Sequence, residues 1–146
     1  MAGYNPPVGF HFKVDFSSVS SQIEDTCFQS VSGLTIDLET EPIKEGGENR
    51  FMHHLPKQTN YTKLTLKRGM FTNSELIQWC LNAFENFEFK PADLIISLLN
   101  DQHEPLKTWN IVHAFPVLWS VSDFDAEQNT LVIETLVLQY HYFKLI

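Results

Sequence analysis

The chain has 146 residues, enough for one domain that buries its own core without disulfide or metal. Hydrophobic residues make up 43% and charged residues 19%, a globular balance that excludes a disordered chain. The formal net charge of -8 argues against free nucleic acid as a partner, because such binders carry a basic stripe.

Met1 to Pro7 has neither the basic start nor the apolar run of a signal peptide, and no stretch approaches the apolar length that spans a bilayer. Synthesis in the cytoplasm is therefore expected, with any exit by lysis or within a larger particle. Gly9 to Phe16 alternates, with Phe10, Phe12, Val14 and Phe16 against His11, Lys13 and Asp15, and predicts a half-buried strand. Ser17 to Asp25 is polar and Ser-rich and reads as a loop. Leu34, Ile36 and Leu38 then alternate with Thr35, Asp37 and Glu39, after a Gly33 that marks a turn or bulge.

Pro42 to Asn60 holds no period and carries Gly46, Gly47, Pro56 and several charges. It is long for a connection in a compact domain, which points to a functional loop or an extended arm. Tyr61 to Arg68 resumes the alternation with Leu64 and Leu66 inward. This is also the densest basic stretch, and it reads as the wet face of a strand, not a phosphate groove. One helix is expected over about residues 73–86. Thr72 and Glu75 form a capping-box pattern, and Leu76, Ile77, Cys80, Ala83 and Phe84 share a face. Trp79 falls at the edge of that stripe, where a subunit contact would cover it.

The last third is strand-rich. Asp93 to Leu99 is followed by a turn at Asn100-Asp101-Gln102-His103. Leu106 to Phe115 alternates until Pro116 breaks the run. Asp123 to Asn129 is a polar loop, and Leu131 to Phe143 is one long strand with Leu131, Ile133 and Val137 on one side. The expected architecture is mainly β: two packed β-sheets forming a sandwich or barrel, with one flanking α-helix and an extended hairpin or loop arm, in a single domain.

Chemistry is sparse. His53 and His54 are adjacent, so a strand sends them to opposite faces, and His103, His113 and His141 are scattered. Gly46-Gly47 lacks the Gly-Lys-Ser/Thr that follows a phosphate loop, and reads as a hairpin tip. There is no Gly-x-Ser-x-Gly elbow, and Asp123 and Asp125 read as turn formers. Cys27 and Cys80 read as reduced core residues. No catalytic, metal or cofactor site is assigned.

Several runs together resemble the tail tube proteins of phage-tail-like contractile systems. They are Ser32-Gly33-Leu34, Glu39-Thr40-Glu41, Lys44-Glu45-Gly46-Gly47-Glu48-Asn49, Leu55-Pro56 and Leu64-Thr65-Leu66-Lys67-Arg68-Gly69. Further on come Trp109-Asn110-Ile111, Ala114-Phe115-Pro116-Val117, Trp119-Ser120 and Ile133-Glu134-Thr135-Leu136. The order and spacing fit over nearly the whole chain, and the type VI secretion tube protein is similar in fold. The resemblance implies a structural subunit, not an enzyme. Six copies would form a ring, rings would stack into a hollow tube, and a contracting sheath would drive the tube through an envelope. Its partners would be itself, related tube proteins, sheath and baseplate proteins, and a payload in the lumen. The arm over about 42–60 would reach the neighbouring ring, through Glu45, Gly46, Gly47, Glu48, Asn49 and Arg50. A long Ser17–Cys27 connection and Tyr4-Asn5-Pro6-Pro7 depart from the shorter members and leave open a tube-initiator role at the baseplate. A small-ligand-binding β-barrel with an apolar cavity is the reading from another class.

Overall fold

The computed structural model describes residues 11–146 except Ser17, Glu45, Glu48, Phe71 and Asn129, with Ile23 and Glu24 described by backbone alone. Gly9 and Phe10 of the expected first strand, and the Tyr4–Pro7 segment, lie outside the described residues. In chain order the elements are β1 (Phe12–Asp15), a 3-10 turn (Ile23–Thr26), β2 (Ser30–Ser32), β3 (Ile36–Ile43), β4 (His53–Tyr61) and β5 (Leu64–Gly69). Helix α1 (Glu75–Glu85), β6 (Ala92–Leu99), β7 (Pro105–Val121), β8 (Ile133–Gln139) and β9 (Tyr142–Leu145) follow.

The strands form a seven-stranded antiparallel sheet in the order β1-β6-β7-β8-β5-β2, with β9 also on β7, and a separate two-stranded sheet of β3 and β4. The mainly β architecture with one helix and an extended hairpin is therefore as expected. Strand β7 makes the large sheet into two layers. Its first half pairs with β6 and β9, its second half with β8.

Two bulges in β7 allow this. One sits opposite Asp93, where His113 takes φ +61° and the inward parity passes from Trp109 and Ile111 to Ala114 and Pro116. The other falls between Pro116 and Leu118 and returns the parity to Trp119. Each extra residue bends the strand and turns its side chains over. Pro116 thus does not end the strand as expected; it is fully buried inside β7, beside a bulge where a missing N–H is tolerated.

The layers enclose one apolar cluster. Val14, Leu94, Ile96 and Ile111 come from one side, Leu64, Leu66, Leu136 and Leu138 from the other, and Leu76 and Cys80 from α1. The expected single strand over Leu131–Phe143 is two strands, broken at Tyr140-His141. Its core face carries Glu134, Leu136 and Leu138 rather than Ile133 and Val137. Both parities of this segment are apolar, so alternation alone could not choose between them.

The helix begins two residues later than the Thr72 capping box implied. Ser74 is the N-cap, and its Oγ accepts from the Ile77 N–H at 3.3 Å. Trp79 is half-buried: it packs near Phe16, and its Nε1–H donates to the Lys90 carbonyl at 2.7 Å. Cys80 is buried as expected, whereas Cys27 is exposed. Burial pushes the Cys80 thiol up to about 12, so it stays protonated and inert near neutral pH.

Candidate assembly surface

The segment without a period is the distal half of a hairpin. Strands β3 and β4 pair from Ile36↔Tyr61 out to Ile43↔His53, and every residue of β3 is exposed. In β4 only Asn60 and Tyr61, at the root, are half-buried. A two-stranded ribbon with no layer against either face is marginal by itself in water and ordinarily gains its stability from a partner surface.

The register divides the ribbon into two unlike faces. The irregularity between Leu38 and Thr40 places Lys57 and Gln58 opposite Glu39, so cross-strand partners share a face on both sides of it. One face carries Ile36, Leu38, Thr40 and Pro42 with Tyr61, Thr59, Pro56 and His54. The other carries Asp37, Glu39, Glu41 and Ile43 with Asn60, Leu55 and His53. The first face holds no carboxylate and the second holds three, so the carboxylate-free face is the one suited to lie against a neighbour with the other turned to water.

Of the residues expected to make contacts, Gly46 and Gly47 form the turn, and Asn49 and Arg50 follow it, all four exposed. Gly47 has φ +91°, the left-handed region that favours glycine. Glu45 and Glu48 lie outside the described residues. The sequence reading missed Phe51 and Met52 beside the turn, exposed by 55% and 46%. Two adjacent large apolar residues in an otherwise polar, glycine-bearing stretch were the available signal.

The root fixes where the ribbon points. Gly33 has φ +100°, and a Cβ there would fall 2.1 Å from the Lys63 carbonyl oxygen. Its own carbonyl accepts from the Thr62 hydroxyl at 2.7 Å and the Thr35 N–H at 2.8 Å. Tyr61 packs edge-on against Phe143 and Tyr140, tying β4 to the core.

At the end of the β5-β8 ladder away from the root is a buried ionic network that the sequence reading also missed. Arg68 is not on the wet face: it stands directly across from Glu134 and is 3% exposed. Its guanidinium donates to Glu134 at 3.1 Å, to Asp25 at 2.8 Å and to the Ser74 hydroxyl at 2.8 Å. Asp25 also accepts from Ser20, from Ser74 and from the Leu76 N–H, so one carboxylate joins the 17–26 connection to the start of α1. Glu134 accepts from Trp119 Nε1 at 3.2 Å. Burial alone would raise the Asp25 pKa; the bonds from Ser20, Ser74, Arg68 and Leu76 outweigh it and hold the carboxyl below 3.8. The parity signal was present, since Arg68 follows Leu64 and Leu66 on the inward face and Glu134 precedes Leu136 and Leu138.

This network is buried and its members are hydrogen-bonded to one another. Among the described residues, no three His, Cys, Asp or Glu side chains are grouped to hold a metal ion. The interior is filled by the apolar cluster. An apolar cleft of about 240 Å³ opens at the mouth of the sandwich, lined by Phe12, Leu34, Ile96 and Trp109 among others. No helix among the described residues is long and apolar enough to cross a membrane.

A two-layer β domain with an uncovered ribbon fits a self-assembling subunit, and the likeness to known proteins decides which kind. The profile described as T4-like virus tail tube protein gp19 matches residues 8–144. The chain belongs to the T4-like tail tube family. That family is structural, not enzymatic. A chain in the cryo-EM structure of the anti-feeding prophage (AFP) baseplate, 6-fold symmetrised, is 32% identical, with TM-score 0.88 over 99% of this chain and 97% of that one. A chain in the PVC sheath-tube complex of an extracellular contractile injection system, in its extended state, is 31% identical, with TM-score 0.79 over 97% and 91%. A type six secretion system protein, 13% identical with TM-score 0.62 over 93% and 82%, shares the fold alone. No curated protein sequence matches the chain.

Proposed function

We propose that this tail tube protein is an inner-tube subunit of a contractile injection particle, forming six-membered rings that stack into a hollow tube. The observation that carries the reading is the ribbon, a two-faced hairpin that the described residues of its own domain leave uncovered. The arm on one surface and its receiving site on another make a heterologous contact, which propagates as a stack. Rings close through a second set of contacts, for which the edge strands β1 and β2 are available. The six-fold symmetry of the AFP baseplate that holds a similar chain supports six copies. Sheath and baseplate proteins are the expected partners, the lumen would hold a payload, and the working location is the released particle.

The test is removal of Glu45 to Arg50, followed by native mass spectrometry and negative-stain microscopy across ionic strength. The expected result is a folded subunit that forms rings but stacks poorly. Normal-length tubes from the deletion would sink the arm assignment, and a wild-type chain that stays monomeric even with baseplate components would sink the tube reading. A tube-initiator role at the baseplate is the second reading, favoured by the similar chain in the AFP baseplate. It predicts that the chain joins isolated baseplates and does not extend into long tubes alone.

A further inference from the structure

The apolar cleft at the mouth of the sandwich is open where most of the core is closed. It is lined by Phe12, Val31, Leu34, Ile96, Leu98 and Trp109, between the β1-β6-β7 layer and the short edge strand β2. Its volume of about 240 Å³ exceeds the roughly 150 Å³ that accepts a benzene ring. Room for one aromatic ring and a further short apolar chain is therefore built into the subunit.

The same chain presents a matching group. Phe51 and Met52 project beside the turn of the ribbon, a phenyl ring and a thioether next to each other, and both are exposed. They cannot fill the cleft of their own subunit. Leu34 in the cleft wall lies two residues before β3 begins, so the cleft adjoins the root of the ribbon. The eight residues of β3 carry the tip about 24 Å from that root, at roughly 3.4 Å per residue. Because both faces of β3 are exposed, the ribbon does not fold back over it. Charge favours the same pairing: the ribbon over residues 36–61 has five carboxylates against three cations, and Lys107 stands beside Leu98 in the cleft-side register.

We propose that Phe51 and Met52 of one copy seat in the Phe12–Leu98–Trp109 cleft of a second copy. This rests on the tube-subunit reading and names the receiving surface for the arm. Knob and socket lie on distant parts of one chain, so in a head-to-tail contact each copy seats one arm and offers one cleft onward. The aromatic ring and thioether would supply the apolar centre of the contact, with the charged ribbon residues at its rim.

Cross-linking between two full-length chains tests this. In a Cys27→Ser background, one chain carries Phe51→Cys and the other Leu98→Cys. Mild oxidation of the mixture under assembly conditions should give linked dimers, and neither chain alone should give them. Ser30→Cys, exposed on the opposite wall of the cleft, provides a second socket position should Leu98→Cys fold poorly. Phe124→Cys, on a separate exposed loop, paired with Leu98→Cys should give no more than background. A Phe51→Ala/Met52→Ala chain should keep the wild-type circular dichroism and melting curve and lose at least tenfold in assembled fraction. Wild-type-like assembly of that double variant, or cross-linking no better than the Phe124 control at both socket positions, would overturn the inference while the tube reading stood. In that outcome the cleft takes another occupant. A wild-type chain that never assembles with its baseplate would overturn both.

Discussion

Strand β5 and strand β3 both alternate aliphatic and polar residues, yet they meet opposite fates. In β5, Leu64 and Leu66 are completely buried, and Arg68 on the same face is enclosed by Asp25, Glu134 and Ser74. In β3, Ile36 and Leu38 are each 50% exposed, on a ribbon that none of the described residues covers. The local pattern is the same; what differs is whether a second layer of the same molecule lies opposite. A buried strand stabilises the subunit, and an uncovered one keeps its apolar surface for association.

The sharpest way to break this comparison is at Arg68. Replacing Arg68→Met removes the cation that pairs with Asp25 and Glu134 and leaves both carboxylates buried without it. Loss of one partner of such a pair costs about 3–5 kcal/mol, and chemical denaturation should show it directly. A variant as stable as the parent would mean that the carboxylates take up protons or water without strain.

Matched truncations sharpen the contrast. Leu66→Ala should destabilise the isolated subunit by about 2–5 kcal/mol, and Leu38→Ala by less than about 0.5 kcal/mol. Assembly should show the reverse sensitivity once stability is allowed for, with Leu38→Ala weakening stacking in a folded subunit. Equal melting shifts for the two variants would show that the ribbon is packed within the monomer after all.

The root between the two regions should respond less, and in both ways. Gly33→Ala puts a Cβ 2.1 Å from the Lys63 carbonyl at φ +100°. The cost should be about 1–3 kcal/mol, accompanied by a turned ribbon and poorer stacking. An alanine variant with unchanged melting and unchanged tube yield would show that the close approach does not aim the arm.

Acid should give the mildest effect. The Asp25 carboxyl is held below its ordinary value of 3.8, so its contribution is complete above that value and is lost as pH falls through the lower, folded one. Stability followed by circular dichroism should therefore have an Asp25-dependent slope only below about pH 4, a slope that Asp25→Asn removes. An Asp25-dependent transition between pH 5 and 7 would contradict the network as described.

The alternation of Phe12, Val14 and Phe16, of Leu64 and Leu66, and of Ile36 and Leu38 was enough by itself to determine a mainly β chain. The apolar stripe of Leu76, Cys80 and Ala83 was enough to determine one helix. These signals are local, because a strand repeats every two residues and a helix every 3.6, whatever lies opposite. The Gly46-Gly47 turn and the odd length of the surrounding segment marked the arm, although its strands start at Ile36 and end at Tyr61. What only the tertiary structure decided depends on groups far apart in the chain. The bulges that carry Pro116 through β7 follow from pairing with two different layers. The N-cap moved from Thr72 to Ser74 because Asp25, 49 residues earlier, meets that hydroxyl at the helix start. Arg68 lies inside because Glu134 faces it across the β5-β8 ladder, and a charge enters a core only where an opposite charge is already held there. Alternation told which residues share a face; the second layer told which face is dry.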